Sequence, residues 1–210
     1  MLLDEELENL NIMLVKMADL VNHNINEALE MYNDNKEIYI NDDIIDQYER
    51  LIEEICLNIM LKERPYAKDL RKVSGILKLV ADLERIGDHA EDIMEFNVKM
   101  RNIERIEIDE LKDMTSTTLS MVKKSIESFV NKDKELALEV ISTDDIVDKY
   151  YSDLVEYLIN ESANGKITTK FAIYSTLVVK YIERIADHAV NIAEWVIYIE
   201  SGFHKDKQIF

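Results

Sequence analysis

Apolar residues recur every three or four positions along most of the chain, the spacing that keeps them on one face of an α-helix. The clearest stripe runs from Leu70 to Met94, about seven helical turns. Another long stripe runs from Ala172 to Ile197, and Gly202 follows it as a stop signal. Shorter stripes predict further helices over residues 5–32, 44–61, 110–130 and 146–159. The pattern therefore predicts six long helices.

The breaks between these helices are short and polar. Pro65 in one half and Gly165 in the other follow the second predicted helix, and residues 33–35 and 131–133 form turns after the first. Three helices joined by such short loops are expected to pack as an antiparallel bundle.

Two segments of the chain occur twice. Residues 42–48 return at 144–150, shifted by 102 positions, and residues 84–90 return at 183–189, shifted by 99. The two halves are therefore homologous units. We predict an all-α protein of two tandem, pseudo-symmetric antiparallel three-helix bundles, one over residues 1–103 and the other over residues 104–210.

Acidic residues spaced four apart stand at equivalent places in both repeats: Asp42 with Asp46, Glu84 with Asp88, Asp144 with Asp148, and Glu183 with Asp187. A single pair of this kind is most simply a solvated helix face, but here both members are present in both halves. The pairs border the apolar stripes, so the second and third helices of each bundle are expected to bring four carboxylates together. Such neighbouring anions repel one another and favour a bound cation. Their oxygen atoms suit Mg, Ca, Mn, Fe or Zn.

Other side chains beside these pairs are expected to play smaller roles. Arg85 and Arg184 follow the first acid of their pairs and point about 100° away on a helix, so they are expected to neutralise the pairs poorly. By the same angle, His89 and His188 are expected at a helix surface or cap rather than on a metal. Cys56 lies on an apolar stripe and is expected in the core.

Composition and charge argue against several classes of function. The 210 residues include 43 Asp plus Glu and 25 Lys plus Arg, a formal net charge of −18. This charge repels the phosphates of nucleic acids and anionic lipids, so neither a nucleic-acid partner nor direct membrane insertion is expected. The single Cys, the lack of a signal-peptide pattern and the lack of an apolar run of about 20 residues predict a cytoplasmic protein.

Residues 82–90 and 182–195, with the connection at 64–71, resemble the PhoU family of bacterial phosphate-regulation accessory proteins. The resemblance runs nearly end to end and implies paired three-helix bundles that carry multinuclear iron or zinc clusters, with Mg or Mn as other candidate ions. Transferred position by position, the metal ligands fall on the eight acids of the four pairs. The resemblance also implies a homodimeric negative regulator, peripheral to the inner membrane through its partners. Those partners would be the ATPase subunit of a phosphate ABC transporter and a membrane sensor histidine kinase.

The two repeats differ in charge near the acidic pairs. In the first repeat Asp92, Glu49 and Glu53 stand where the second repeat has uncharged residues. We therefore expect stronger or larger metal occupancy at the first site than at the second.

Three hypotheses of function stay open. The first is a non-catalytic signalling adaptor whose metal-bearing acidic face docks on its partners. The second is an all-α metal-dependent phosphohydrolase, because carboxylate bundles can position metals that activate water. The chain has no Glu-x-x-His motif, no glycine-rich phosphate loop and no Ser/His/Asp arrangement, which disfavours the hydrolase. The third is a helical scaffold without metal.

Overall fold

The computed structural model describes residues 2–34, 43–204 and 207–208. Over these ranges the secondary structure consists of α1 (Leu2–Asp34), α2 (Asp43–Lys62), α3 (Ala67–Lys99), α4 (Asp109–Asn131), α5 (Lys134–Ala163), α6 (Thr169–Ser201), β1 (Phe203–His204) and β2 (Lys207–Gln208). The two short strands pair antiparallel. Within the same ranges, no helix has the length and apolar character needed to cross a membrane.

Caps and a glycine define the ends of α6. The Thr168 hydroxyl oxygen accepts a hydrogen bond from the Phe171 N–H at 3.1 Å and so caps the first turn. Gly202 follows the last turn at φ 86°, a left-handed conformation that costs Gly little. The stop expected at Gly202 from the sequence is therefore confirmed.

The start expected for the fifth helix was wrong. The apolar stripe suggested Ile146, but α5 begins at Lys134. The Asp133 carboxylate accepts a hydrogen bond from the Leu136 N–H at 3.0 Å, which caps the helix directly after the turn. No Gly or Pro follows until the end of the helix, so α5 continues unbroken to Ala163.

The central helices of the molecule are α3 and α6. Each packs within its own bundle, α3 against α1 and α2, and α6 against α4 and α5, and the two also pack against each other. They run antiparallel: Arg71 near the start of α3 donates to the Ile199 carbonyl near the end of α6 at 3.0 Å, and the Phe96 and Tyr174 rings meet at the other ends. The predicted pair of tandem three-helix bundles is confirmed, whereas the boundary between residues 103 and 104 stays a prediction.

The contact between α3 and α6 is close because of one glycine. A Cβ atom on Gly75 would lie 2.3 Å from Cγ1 of Ile199, so only Gly permits this approach. Cys56, by contrast, packs in the interior of the first bundle and is fully buried, as expected. Burial, with a smaller effect of Glu53, raises the pKa of its thiol to about 12, so Cys56 is an unreactive core residue.

Candidate metal centre

Helices α2 and α3 bring together the first acidic cluster, which consists of Asp46, Glu49, Glu53, Glu84 and Asp88. The side chain of Glu84 is only 18% exposed and that of Asp88 is 32% exposed. Burial and the negative charges of Glu84, Glu53 and Asp46 raise the pKa of Glu49 to about 7. Burial and Asp88 raise the pKa of Glu84. The carboxylates of this cluster are therefore close enough to oppose one another's ionisation.

Helices α5 and α6 bring together the second acidic cluster, which consists of Asp144, Asp148, Glu183 and Asp187. Burial and the charges of Asp148 and Asp187 raise the pKa of Asp144 to about 6. The pKa of Glu183 is raised by burial and by Asp187, and that of Asp187 by burial and by Asp148. The two repeats thus carry the same kind of charged neighbourhood at equivalent positions.

Seven of the eight predicted ligands lie in these clusters, and Asp42 lies outside the described residues. Glu49 and Glu53 join the first cluster although the predicted ligand set omitted them. The signal for them was present in the sequence, because Asp46, Glu49 and Glu53 are spaced to share one face of a helix.

The donor atoms of both clusters fit a hard cation, since they are carboxylate oxygens whose crowding a positive ion would relieve. Within the described ranges, however, no three His, Cys, Asp or Glu side chains converge closely enough to form a ready metal site. In each cluster the carboxylates lie near enough to repel one another but do not converge on one point. Metal binding by the clusters stays a prediction.

The expectation that Arg85 would point away from its acidic pair was wrong. Its Nη1 lies 2.8 Å from Oδ2 of Asp88 and its Nε lies 3.4 Å from Oε2 of Glu84. A long side chain can fold back along its helix, which the direction of its Cα–Cβ bond does not show. The charge of Arg184 likewise opposes the rise in the pKa of Glu183 and of Asp187 in the second acidic cluster.

The surface or capping role expected for His89 and His188 was also wrong. Both rings lie in the contact between α3 and α6, with centroids 5.5 Å apart, and His89 is only 7% exposed. Burial lowers the pKa of the His89 ring, partly offset by its hydrogen bond with Asp92. Nδ1 of His188 lies 2.8 Å from Oδ1 of Asp82. The repeated histidines therefore lie between the two bundles, and the charge of His188 also opposes the rise in the pKa of Glu84 and of Asp187.

Asp92 belongs to this contact as well. Its Oδ2 lies 3.4 Å from Nδ1 of His89, and it hydrogen-bonds the Tyr181 side chain. Asp92 is not among the main causes of the raised pKa of Glu49 or Glu84. Of the three extra acids of the first repeat, Glu49 and Glu53 are therefore the ones that make the first cluster more acidic.

A cavity of about 500 Å³ connects the first acidic cluster with the contact between the bundles. Glu49, Glu84 and Arg85 line one side, and Asn191 and Trp195 of α6 line the other. Trp195 is half-buried here and meets Tyr198 edge to face, with centroids 5.8 Å apart. The first acidic cluster is thus open to a small solute.

Comparisons with known proteins agree with this architecture. A family model described as the PhoU domain matches residues 14–96 and 111–196. The phosphate-specific transport system accessory protein PhoU homolog 1 of Thermotoga maritima is 34% identical, over 95% of this chain and 89% of its own. The PhoU homolog of Aquifex aeolicus is 36% identical, over 96% of this chain and 94% of its own.

Solved structures show the same arrangement of helices. The crystal structure of PhoU from Pseudomonas aeruginosa superposes with a TM-score of 0.89 at 32% identity, covering 95% of this chain and 99% of that one. The phosphate transport system regulatory protein PhoU from Streptococcus pneumoniae superposes with a TM-score of 0.88 at 25% identity, covering 98% of this chain and 100% of that one.

Proposed function

The chain belongs to the PhoU family, and we propose that it is a metal-binding regulator of phosphate uptake and of phosphate-responsive signalling. The observation that carries the proposal is the pair of acidic clusters at equivalent places in the two repeats. Relatives that match nearly the whole chain are named accessory proteins of the phosphate-specific transport system. A regulatory role in that system is therefore the function we infer.

The metal ligands in this proposal are Asp46, Glu84 and Asp88 of the first cluster, with Glu49 beside them. Asp144, Asp148, Glu183 and Asp187 form the second set. A bound ion would neutralise each cluster and offer coordination positions to an anionic group. Iron and zinc are the ions expected from the family resemblance, and Mg or Mn also suit oxygen ligands. Asp42 is the eighth proposed ligand.

We propose that the protein acts as a non-catalytic adaptor and negative regulator. Its proposed partners are the ATPase subunit of a phosphate ABC transporter and a membrane sensor histidine kinase, which it would meet as a cytoplasmic homodimer. The absence of catalysis is supported by the names of the relatives, which are accessory proteins of the phosphate-specific transport system.

A binding experiment with the transporter ATPase subunit tests the adaptor role. The metal-loaded chain is expected to co-elute with the ATPase subunit, and the Asp88→Asn/Asp187→Asn double variant is expected to lose the complex. Asp153→Asn is the matched control, because Asp153 is an exposed acid that pairs with Lys149 at 3.1 Å, outside both acidic clusters. Binding that is the same for all three proteins would overturn the proposed role of the clusters.

A turnover assay separates the adaptor from the hydrolase. The metal-loaded protein is expected to release no phosphate from pyrophosphate or nucleotides. Metal-dependent release that disappears in the Asp88→Asn/Asp187→Asn variant would replace the adaptor proposal with the phosphohydrolase.

A further inference from the structure

A second cavity, of about 410 Å³, lies between α1, α3, α6 and the turn from α4 to α5, and no residue of the two acidic clusters lines it. Its size falls within the range of small-molecule sites. Apolar side chains from three helices form its floor: Ile12, Val15, Phe129, Val196 and Ile199. The cavity is therefore suited to an apolar group of moderate size.

Three lysines open onto this cavity, Lys16 from α1, Lys72 from α3 and Lys132 from the α4–α5 turn. Glu8 and Glu200 also line it, so its local charge is positive by one in a chain whose formal net charge is −18. Within the described part of the chain, none of the three ammonium groups has a carboxylate within ion-pair distance. The cavity thus combines an apolar floor with cations that lack a close counter-ion.

Lys72 is the lysine most removed from water. It is half-buried, and burial together with the neighbouring Lys132 lowers its pKa, although Glu8, Glu200 and Asp69 act in the opposite direction. An anion placed between Lys72 and Lys132 would relieve this repulsion.

The backbone of Lys132 is unusual for a lysine. Its φ is +55°, in the left-handed region where Gly or Asn is favoured, and the conformation costs a lysine about 1–2 kcal/mol. The turn itself needs this conformation, because it lets the Asp133 N–H donate to the Ser128 carbonyl at 2.9 Å. A lysine at this position is a cost to stability that a role for its ammonium group would explain.

The other repeat carries a different type of residue at the position of Lys72. The residue equivalent to Lys72, shifted by 99 positions, is Phe171, which is fully buried. Nearby, the Tyr32 ring is buried and its hydroxyl lies 3.2 Å from Oγ of Ser175, one turn beyond Phe171. Arg105 donates to the Tyr32 carbonyl and closes this region. In one repeat a buried aromatic ring therefore takes the position of the lysine that lines the cavity in the other.

We propose that this cavity binds an organic anion with an apolar body, of the class of medium-chain carboxylates. The carboxylate would lie between Lys72 and Lys132, and the chain would lie on Ile12, Val15 and Val196. This site is independent of the acidic clusters and of the proposed regulatory function.

Calorimetric titration with octanoate tests the proposal. Octanoate is expected to bind one per chain, and octanamide, which has the same chain without the charge, about tenfold or more weakly. Lys72→Gln is expected to weaken octanoate binding by the same factor, and Lys132→Gly to weaken it while raising the melting temperature. Lys123→Gln is the control, because Lys123 lies outside the cavity and pairs with Glu127 at 3.7 Å.

Three results would overturn the proposal: no saturable octanoate binding, equal affinity for octanoate and octanamide, or equal affinity of the parent chain and Lys72→Gln. Lys72→Phe adds a further check, because it copies the filled repeat and is expected to abolish binding. Lys72→Gln keeps the test decisive if Lys72→Phe does not fold.

Discussion

Asp82 on α3 and His188 on α6 join the two repeats through a contact of 2.8 Å between Oδ1 and Nδ1. The Asn191 amide donates to the same oxygen at 3.1 Å, so one carboxylate accepts two hydrogen bonds from the other bundle. The equivalent place in the other half holds Tyr181, whose ring centroid lies 5.3 Å from that of His89. The polar contact on one side of the pseudo-symmetry axis is thus matched on the other by a ring contact together with the hydrogen bond between Tyr181 and Asp92.

Asp82→Ala is expected to lower the free energy of unfolding by about 1–3 kcal/mol. The substitution leaves the His188 and Asn191 donors without their acceptor, at a position where the Asp82 side chain is only 14% exposed. Denaturation in urea measures this change. Asp153→Ala, which removes an exposed acid, is expected to change the same quantity by less than about 0.5 kcal/mol. Equal effects of the two substitutions would contradict the role assigned to Asp82.

Gly75→Ala is expected to destabilise the protein by about 1–3 kcal/mol, because the new Cβ would overlap Ile199. Ala has a higher helix propensity than Gly by about 1 kcal/mol, but this gain is expected to be smaller than the cost of the overlap. Ile199→Ala removes the atoms that would clash. In the Ile199→Ala background, Gly75→Ala is therefore expected to be neutral or stabilising. A double-mutant cycle in urea measures the difference, and a Gly75→Ala loss that persists in that background would show that the contact between the bundles is not the cause.

The stability of the metal-free protein is expected to depend on Glu49. Its pKa is raised from 4.5 to about 7 in the folded state, so the folded state holds a proton that the unfolded state releases between these values. The protonated Glu49 side chain therefore stabilises the folded state below about pH 4.5, and this stabilisation is lost as the pH rises to about 7. Glu49→Gln is therefore expected to gain stability relative to the parent chain as the pH rises through this interval.

Urea denaturation at several pH values checks this difference, with Glu156→Gln as the exposed control. The control is expected to follow the parent chain throughout. A Glu49→Gln protein that also follows the parent chain would mean that Glu49 is not crowded by its neighbours.

The two acidic clusters are expected to hold metal unequally. Glu49 and Glu53 add carboxylates to the first cluster, and the second repeat has Tyr151 and Val155 at these positions. Asp46→Ala is therefore expected to lose more metal per chain than Asp148→Ala, as measured by elemental analysis. Equal losses would contradict the inequality of the sites.

The fold could be predicted because the helical stripes and the two repeated segments point to the same architecture. The start of α5 was missed although Ala137, Val140 and Ile141 carry its stripe further upstream, because the polar residues 142–145 interrupt the stripe. The cap at Asp133 sets the first residue of the helix. Propensity and periodicity place a helix, whereas a side-chain hydrogen bond to the backbone sets where it begins.

The acidic clusters could be predicted because the repeat distinguishes them from ordinary solvated acids. The contact around His89 and His188 could not be predicted. An apolar stripe shows which face of a helix packs within its own bundle, whereas α3 and α6 also pack against each other. The repeated Asp-His doublet was a signal for it, since it is present in both halves like the acidic pairs. Arg85 was misplaced for a different reason, because its length lets the guanidinium reach acids that its Cβ does not face.

The central claim is that the repeated carboxylates hold cations, and elemental analysis of the protein purified without an affinity tag tests it most directly. The parent chain is expected to retain iron, zinc or another multivalent ion after gel filtration, and Asp88→Asn/Asp187→Asn to lose it while keeping its helical circular dichroism spectrum. Asp153→Asn is expected to retain the metal of the parent chain. A parent chain free of metal, or a double variant that keeps the full amount, would contradict the claim.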